Sequence, residues 1–338
     1  MQPVPPTASS PAVLGPEATA ELLPWAALAD EIAALLLEDG VAVPPRSVLP
    51  LAGGARLFVM PASDRRVAMA KLITLTPGNA ARGRPTIQGD VVVFDVASGE
   101  RRVVLDGPTV TARRTAAVSL LAAQRLAPVP QGPLLVVGAG VQGLAHVQAF
   151  VQVLGVREVW VASRSAASAE ALAQAARALG AQARVVQDAD AALAHCPLVA
   201  ACTPGTAVVL SAPPRPDAFV AAVGAYTPAM AELSPGLCRW MAQQGMVVVD
   251  TADAVHEAGD LLQAGIDVAR LPTLQDMVRQ EAAARAHTGP VLFKSCGWAG
   301  WDLAAARLVL RAGAAAPLAI DGHTGPGAHS PAGSRPLP

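Results

Sequence analysis

From Leu134 onward the chain alternates compact aliphatic runs with amphipathic stretches: LLVVG, VQGLAHVQAFVQVLG, EVWVAS, SAEALAQAARALG, ARVVQ, PLVAACT, AFVAAVG and GMVVVD. Short aliphatic runs with no polar alternation mark strands buried on both faces, and helical spacing between them marks the covering helices. The pattern predicts an α/β fold built on a doubly wound parallel sheet. The first third reads differently. Glu17 to Glu38, EATAELLPWAALADEIAALLLE, is helical in period with a break at Pro24. RLFVMP at Arg56, VAMAKLITLTP at Val67 and DVVVFDVASGERRVVLDG at Asp90 read as strands, the last folded into a hairpin at ASGE. TVTARRTAAVSLLAAQRLAP from Thr109 predicts a helix opened by threonine caps and stopped by proline, and GWAGWDLAAARLVLRAG predicts a last helix near Trp298. The first twenty or so residues and the tail after about Arg311 are rich in Pro, Gly and Ala and are expected to be poorly ordered at their extremes.

Length and composition narrow the class. With 338 residues the chain exceeds one usual hydrophobic core, so two domains are expected. It is 52% hydrophobic, 15% charged and 3% aromatic, an alanine-rich mixture that is not that of a disordered chain. Its mean hydropathy is positive, yet no uninterrupted apolar run reaches the roughly 18 residues of a membrane span. The excess is therefore assigned to buried strands and a large subunit interface. The start, MQPVPPTASSPAVLGPEA, has neither the basic opening nor the apolar stretch of a secretory signal, so the expectation is a cytoplasmic protein. A net charge of -1 with no basic block excludes a nucleic-acid partner. Cys196, Cys202, Cys238 and Cys296 are scattered without metal-type spacing and read as reduced, buried small residues. HEAGD at His256 lacks the second histidine of a zinc-protease helix, so His256 reads as a polar group at a helix N-terminus, and no metal is expected.

Gly138, Gly140 and Gly143 form GAGVQG between a predicted strand and a predicted helix. In that context the first glycine permits a tight turn, the second lets backbone approach a pyrophosphate, and the third lets helix pack on strand. The N–H groups at Val141 and Gln142 then face the anion with the helix dipole behind them. Some 20 residues on, NAD-binding versions carry an acid for the ribose 2′-hydroxyl. Here Ser163, Arg164 and Ser165 stand in VASRS, and the cation favours NADPH, with NADH as an alternative.

Three cations in the first third suggest an anionic substrate. Arg56 opens one strand, Lys71 lies inside another, and Arg114 sits in TARRTAA, read as the first turn of a helix. An unpaired ammonium inside an apolar strand is expensive, so Lys71 calls for an anionic partner. Arg presents a planar fork matched to carboxylate, and the three together suggest a carboxylate clamp.

At these residues the chain resembles the ornithine cyclodeaminase/mu-crystallin family, from roughly Leu51 to Leu310, through KLITLTPGN, TARRTAAVSLLAAQRLA, GAGVQG, VGAYTPAMAEL and FKSCGWAGWDLAAA. The resemblance implies a Rossmann-type domain, residues 129–297, inserted into an α+β substrate-binding and dimerisation domain, residues 1–128 with 298–338. It also implies a homodimer. Carried over by position, Arg56, Lys71 and Arg114 match the family's carboxylate-binding cations, with Lys71 and Arg114 at the chemistry, and Thr86 matches a position beside the substrate. Thr203 matches a residue bordering the nicotinamide, and Ser295, Cys296 and Gly297 match the segment lining nicotinamide and substrate.

One departure redirects the expected activity. Cyclodeaminases and related alanine dehydrogenases carry an aspartate in a GxDxPG-like turn, where this chain has Gly224-Ala225-Tyr226-Thr227-Pro228. With Tyr226 in that place, the carboxylate that would handle a departing amine is gone. The resemblance then implies NAD(P)H-dependent reduction of the small cyclic imino acids Δ1-pyrroline-2-carboxylate and Δ1-piperideine-2-carboxylate, with Tyr226 near the ring nitrogen. Ornithine cyclodeamination and a mu-crystallin-like role in binding NADPH and small ligands are the alternatives.

Overall fold

The computed structural model describes residues 12–280, 287 and 289–315. Two sheets carry the fold. The first has six strands: β1 (Ala12–Leu14), β2 (Ser47–Pro50), β3 (Arg56–Ser63), β4 (Val67–Leu75), β5 (Ile87–Asp95) and β6 (Arg101–Asp106), in the order β1-β6-β5-β4-β3-β2. β2 to β6 pair antiparallel, with the turn after Asp95 closing the expected hairpin, whereas β1 adds parallel to β6. The second sheet has seven parallel strands: β7 (Leu134–Val137), β8 (Glu158–Ala162), β9 (Gln182–Val185), β10 (Leu198–Ala201), β11 (Phe219–Ala222), β12 (Met246–Val249) and β13 (Val291–Lys294). Its order β12-β13-β11-β10-β7-β8-β9 reverses direction between β7 and β10, the switch point at which doubly wound sheets open a ligand crevice.

Helices complete both layers. α1 (Pro16–Glu21) and α2 (Trp25–Leu37) are one helical pattern cut at Pro24, which caps α2. α3 (Gly107–Leu126) leads from the antiparallel to the parallel sheet. α4 (Val141–Ala149), α5 (Ala166–Ala178), α6 (Ala189–Leu193), α7 (Pro235–Gln244), α8 (Gly259–Gln263) and α9 (Leu274–Arg279) follow within the second half, and α10 (Ala299–Ala315) returns to the first sheet. There α10 packs on β3, β4, α2 and α3. Phe58, Met60, Met69 and Ile73 form one wall of this core, with Ile32, Leu120 and Trp301 opposite. The other face of the antiparallel sheet is apolar and uncovered among the described residues: Leu49 and Leu72 are 45% and 41% exposed, and Leu57, Val59, Val92 and Phe94 are only half-buried.

Several expectations are corrected. The N-terminal stretch is ordered from Ala12, because β1 extends the sheet, whereas residues 1–11 and the tail 316–338 lie outside the described residues. α3 is capped by Asp106, whose carboxylate accepts from the Thr109 N–H at 2.8 Å, so the threonine donates from inside the helix and does not cap it. Arg114 is consequently past the second turn, out of reach of the free N–H groups at the helix start. His256 ends a short 3-10 turn, Ala252–His256, and opens no helix. The four cysteines are free, with Cys202 only partly buried. Among the described residues no helix is long and apolar enough to cross a membrane, and no cluster of His, Cys, Asp and Glu could hold a metal.

Candidate active site

The glycine turn lies at the carboxyl end of β7, beside the switch point. Gly138 has φ +109°, and a Cβ there would stand 2.6 Å from the Cys202 carbonyl oxygen at the end of β10. A Cβ on Gly143 would stand 2.1 Å from the Gly138 oxygen. Packing alone demands both glycines. Gly140 is different: its φ of -95° and ψ of -166° suit any residue, and a Cβ there would meet nothing within 4 Å. Its bare surface, at the N-terminus of α4, is the cradle a dinucleotide pyrophosphate needs, so the residues present fit such a cofactor. Val141 is exposed and Gln142 partly buried beside it, where Gln142 Nε2 donates to the Thr111 carbonyl of α3 at 3.4 Å. At the end of β8, Ser163 is half-buried, Ser165 caps α5 by accepting from the Ser168 N–H, and exposed Arg164 makes no polar contact among the described residues.

The loops on the nicotinamide side of this turn are held by buried carboxylates, none of which the sequence singled out. Glu232 accepts from the Thr203 N–H (2.6 Å) and hydroxyl (2.8 Å) through Oε1 and from the Gly224 N–H (2.6 Å) through Oε2, tying the loops after β10 and β11 together. Burial pushes its pKa up, with the Lys294 charge working against the shift. Asp260 accepts from the Glu232 and Leu233 N–H groups, and its other oxygen is 2.8 Å from Lys294 Nζ. Asp250 Oδ2 gathers the Ser295 hydroxyl and the Cys296 and Gly297 N–H groups at 2.8–2.9 Å. The Ser295 hydroxyl and both polar groups of Thr203 are thus committed to bracing their loops. Burial pushes the Cys296 thiol well up, leaving it a neutral packing group. Tyr226, on the braced loop after β11, is half-buried with no polar partner among the described residues.

The substrate side stands across from these loops. Lys71, on the covered face of β4, is fully buried, and its Nζ donates to Asp302 Oδ2 of α10 at 2.8 Å. Arg114 Nε lies 3.4 Å from Asp302 Oδ1. The anionic partner that Lys71 required is therefore first of all an aspartate of the same chain. Burial depresses Lys71 to about 8 against the pull of Asp302, and the charges of Arg114 and Arg46 push in the same direction as burial. The Arg114 fork faces the loop after β13: Nη1 and Nη2 are 3.3 and 3.4 Å from where a Cβ on Gly297 would be. Gly297, at φ +90°, leaves that space clear.

Arg56 and Thr86 are not brought to this cluster. Both are exposed, Arg56 opposite Leu75 and Thr86 just before Leu75's other partner Ile87, so they share the sheet end four residues along β4 from Lys71, a backbone separation of about 13 Å. Arg46, just before β2, does act on Lys71, its charge favouring the neutral amine, and its guanidinium pairs with Glu257 beyond the parallel sheet. Arg46 in PPRS and Arg56 in ARLF open consecutive strands, and strand patterning alone does not tell which of the two reaches inward.

Residues 18–314 match the ornithine cyclodeaminase/mu-crystallin family. The Δ1-pyrroline-2-carboxylate reductase 2 of Burkholderia ambifaria is 39% identical over 292 residues, covering 86% of this chain and 92% of that protein. The Δ1-pyrroline-2-carboxylate/Δ1-piperideine-2-carboxylate reductase of Azospirillum brasilense is 39% identical over 264 residues, covering 78% and 83%. Among solved structures, the Δ1-pyrroline-2-carboxylate reductase of Thermococcus litoralis, in complex with NADH and L-proline, superposes with a TM-score of 0.81 at 22% identity, covering 90% of this chain and 98% of that one. With a family match along almost the whole described chain and relatives above one-third identity, the protein belongs to the ornithine cyclodeaminase/mu-crystallin family.

Proposed function

We propose that this protein is a ketimine reductase that converts Δ1-pyrroline-2-carboxylate to proline and Δ1-piperideine-2-carboxylate to pipecolate with NAD(P)H. One observation carries the reading: the Arg114 fork, with no hydrogen bond among the described residues, faces the Gly297 loop at the carboxyl edge of the parallel sheet. Both relatives at 39% identity are reductases of Δ1-pyrroline-2-carboxylate by name, and the Azospirillum brasilense one also of Δ1-piperideine-2-carboxylate.

In the proposed mechanism Arg114 grips the substrate carboxylate through its two parallel N–H donors, and Lys71 adds the two N–H groups that Asp302 leaves free. Arg46 adds a third positive charge at the entrance. With the carboxylate fixed, the adjacent C=N carbon is held at one distance and angle above the Gly297 loop, which is most of what such a reaction requires of a protein. A reduced nicotinamide bound at the glycine turn supplies the hydride. The imine would react protonated on its nitrogen, so that a hydride added at carbon completes the amine without a further proton; Asp302 offsets the Lys71 charge beside it, and Tyr226 offers a hydroxyl near the ring nitrogen. Arg164 selects NADPH over NADH through the 2′-phosphate.

The same reading divides the chain into a substrate and dimerisation domain (1–128 with 298–338) and a dinucleotide-binding domain (129–297), and it makes the protein a cytoplasmic homodimer. The uncovered apolar face around Leu49, Leu72 and Phe94 supports pairing of two copies through the antiparallel sheets. The experiment is a substrate panel followed by nicotinamide absorbance: the two cyclic imines, ornithine, and pyruvate with ammonia, each with NADPH and NADH. Consumption with the imines alone is expected. Ammonia released from ornithine without net nicotinamide consumption would replace the reading with cyclodeamination, and cofactor binding without any turnover would leave a binding protein.

A further inference from the structure

Asp302 lies in the segment that returns to the substrate half and carried no expected role, yet it touches both cations of the clamp. It is fully buried on α10, five positions after Gly297, and meets Lys71 from β4 and Arg114 from α3. We infer that Asp302 is the positioning residue of the substrate site: it anchors Lys71 through one oxygen and Arg114 side-on through the other, and so decides which N–H groups face the substrate carboxylate. The inference rests on the imino-acid reading above.

Three observations carry it. Arg–carboxylate pairs favour a two-pronged arrangement. Here, however, Asp302 sits beside Nε, with Oδ1 and Nε 3.4 Å apart and neither in a well-aligned hydrogen bond, so the pair is an electrostatic brace that spares the fork. Second, among the described residues Asp302 is the carboxylate that pairs with both Lys71 and Arg114, two cations that would otherwise repel each other in a dry interior. The groups acting on Lys71 are Asp302 from α10, Arg114 from α3 and Arg46 from before β2, with Glu257 paired to Arg46. Lys71 and Arg114 carry two positive charges against the one negative charge of Asp302, so this trio keeps a net positive charge for a substrate carboxylate. Third, a buried ion pair is a poor source of stability compared with apolar packing of equal volume, so packing alone does not account for an aspartate among the alanines and leucines of α10.

The test compares wild type, Asp302→Asn and Asp302→Glu. Asp302→Asn keeps the side-chain shape and removes the charge. It is expected to lose about 100-fold in kcat/KM toward the cyclic imines and to bind NADPH as wild type does. The alkaline limb of its pH profile should move to lower pH, because Lys71 loses the group that favours its proton. Asp302→Glu keeps the charge and shifts its place, so it should keep the wild-type limb while kcat falls. If Asp302→Asn does not fold, the Glu variant decides: a displaced limb despite the retained charge overturns the inference, as does an Asn variant with an unmoved limb or near-normal kcat/KM. Binding of pyrrole-2-carboxylate across pH, measured by calorimetry on the same proteins, separates this from the activity. If wild type reduces no imine but binds this ring carboxylate with a pH dependence that Asp302→Asn displaces, the ketimine reading falls and Asp302 stands. Should Asp302→Asn leave that binding unchanged at every pH, Asp302 falls whatever the activity.

Discussion

The two sheets build their halves of the site from different materials. At the parallel sheet the working surface is backbone, a glycine turn and loop N–H groups whose positions are set by Glu232, Asp250 and Asp260 from beneath. At the antiparallel sheet it is side chain, with Lys71, Arg114 and Arg46 presented by three elements and balanced by Asp302 and Glu257. The first arrangement serves a ligand whose shape is constant, since a pyrophosphate asks for a concave run of N–H groups. On the proposed reading the second serves a small anion, for which charge and direction matter more than contour. The contrast also explains where each half tolerates change: a backbone cradle fails when a Cβ is added, whereas a charge clamp fails when an atom is removed.

Arg114→Ala and Lys71→Ala test the clamp with the largest expected effect. Each should reduce kcat/KM toward the imines by on the order of 100- to 1000-fold while NADPH binding, read by fluorescence titration, stays as in wild type. Near-normal turnover in both would dissolve the distinction between the halves. On the cradle side, Gly143→Ala forces a Cβ to 2.1 Å from the Gly138 oxygen and should cost about 1–3 kcal/mol of stability together with dinucleotide binding. Gly140→Ala should leave the melting temperature unchanged and weaken dinucleotide affinity about tenfold, because its Cβ intrudes on the ligand alone. Equal melting losses in the two variants would mean that Gly140 is a packing glycine as well.

A pH profile sharpens the comparison further. Lys71, held at about 8 by burial against the pull of Asp302, is charged below that pH and neutral above it, so kcat/KM should fall as pH rises through about 8. NADPH affinity, which on the proposed reading depends on backbone N–H groups and Arg164, should not follow that limb. The smallest effects are expected at the exposed arginines. Arg164→Ala should raise the KM for NADPH about tenfold and leave NADH unchanged. Arg56→Ala, remote from the cluster, should alter kcat/KM by no more than about twofold, whereas a loss like that of Arg114→Ala would return Arg56 to the clamp.

What could be read from the sequence follows the same division. GAGVQG between an aliphatic strand and a helix is a local statement, and the turn, the strands on either side and the position of Arg164 all follow from residues within about 25 positions of one another. The clamp is non-local. The expense of burying Lys71 pointed correctly to an anion, but Asp302 lies 231 residues away and became visible only when α10 packed on β4. The available clue was chemical: an aspartate opening the alanine-rich stretch DLAAA, on a face that has nothing else polar to meet it. Arg46 was passed over because strand patterning does not say which end of a strand faces the cleft. β13 was missed because VLFK is only four residues long and carries a lysine, whose charge is met by Asp260 on a distant helix. Asp106 was overlooked as a cap because the threonines after it offered an equally plausible start.

The passage from β13 to α10 has one more consequence. Within eight residues, Ser295 to Asp302, the chain leaves the loop braced by Asp250 and reaches the carboxylate between Lys71 and Arg114. The parallel-sheet part has one other covalent junction with the rest of the chain, the stretch that follows Leu126 at the end of α3. A chimaera that exchanges this module for one of different nucleotide preference should therefore take its upstream junction freely after Leu126, but its downstream junction must fall before Ser295, so that the recipient keeps its own crossing and with it the fit between hydride donor and anion grip.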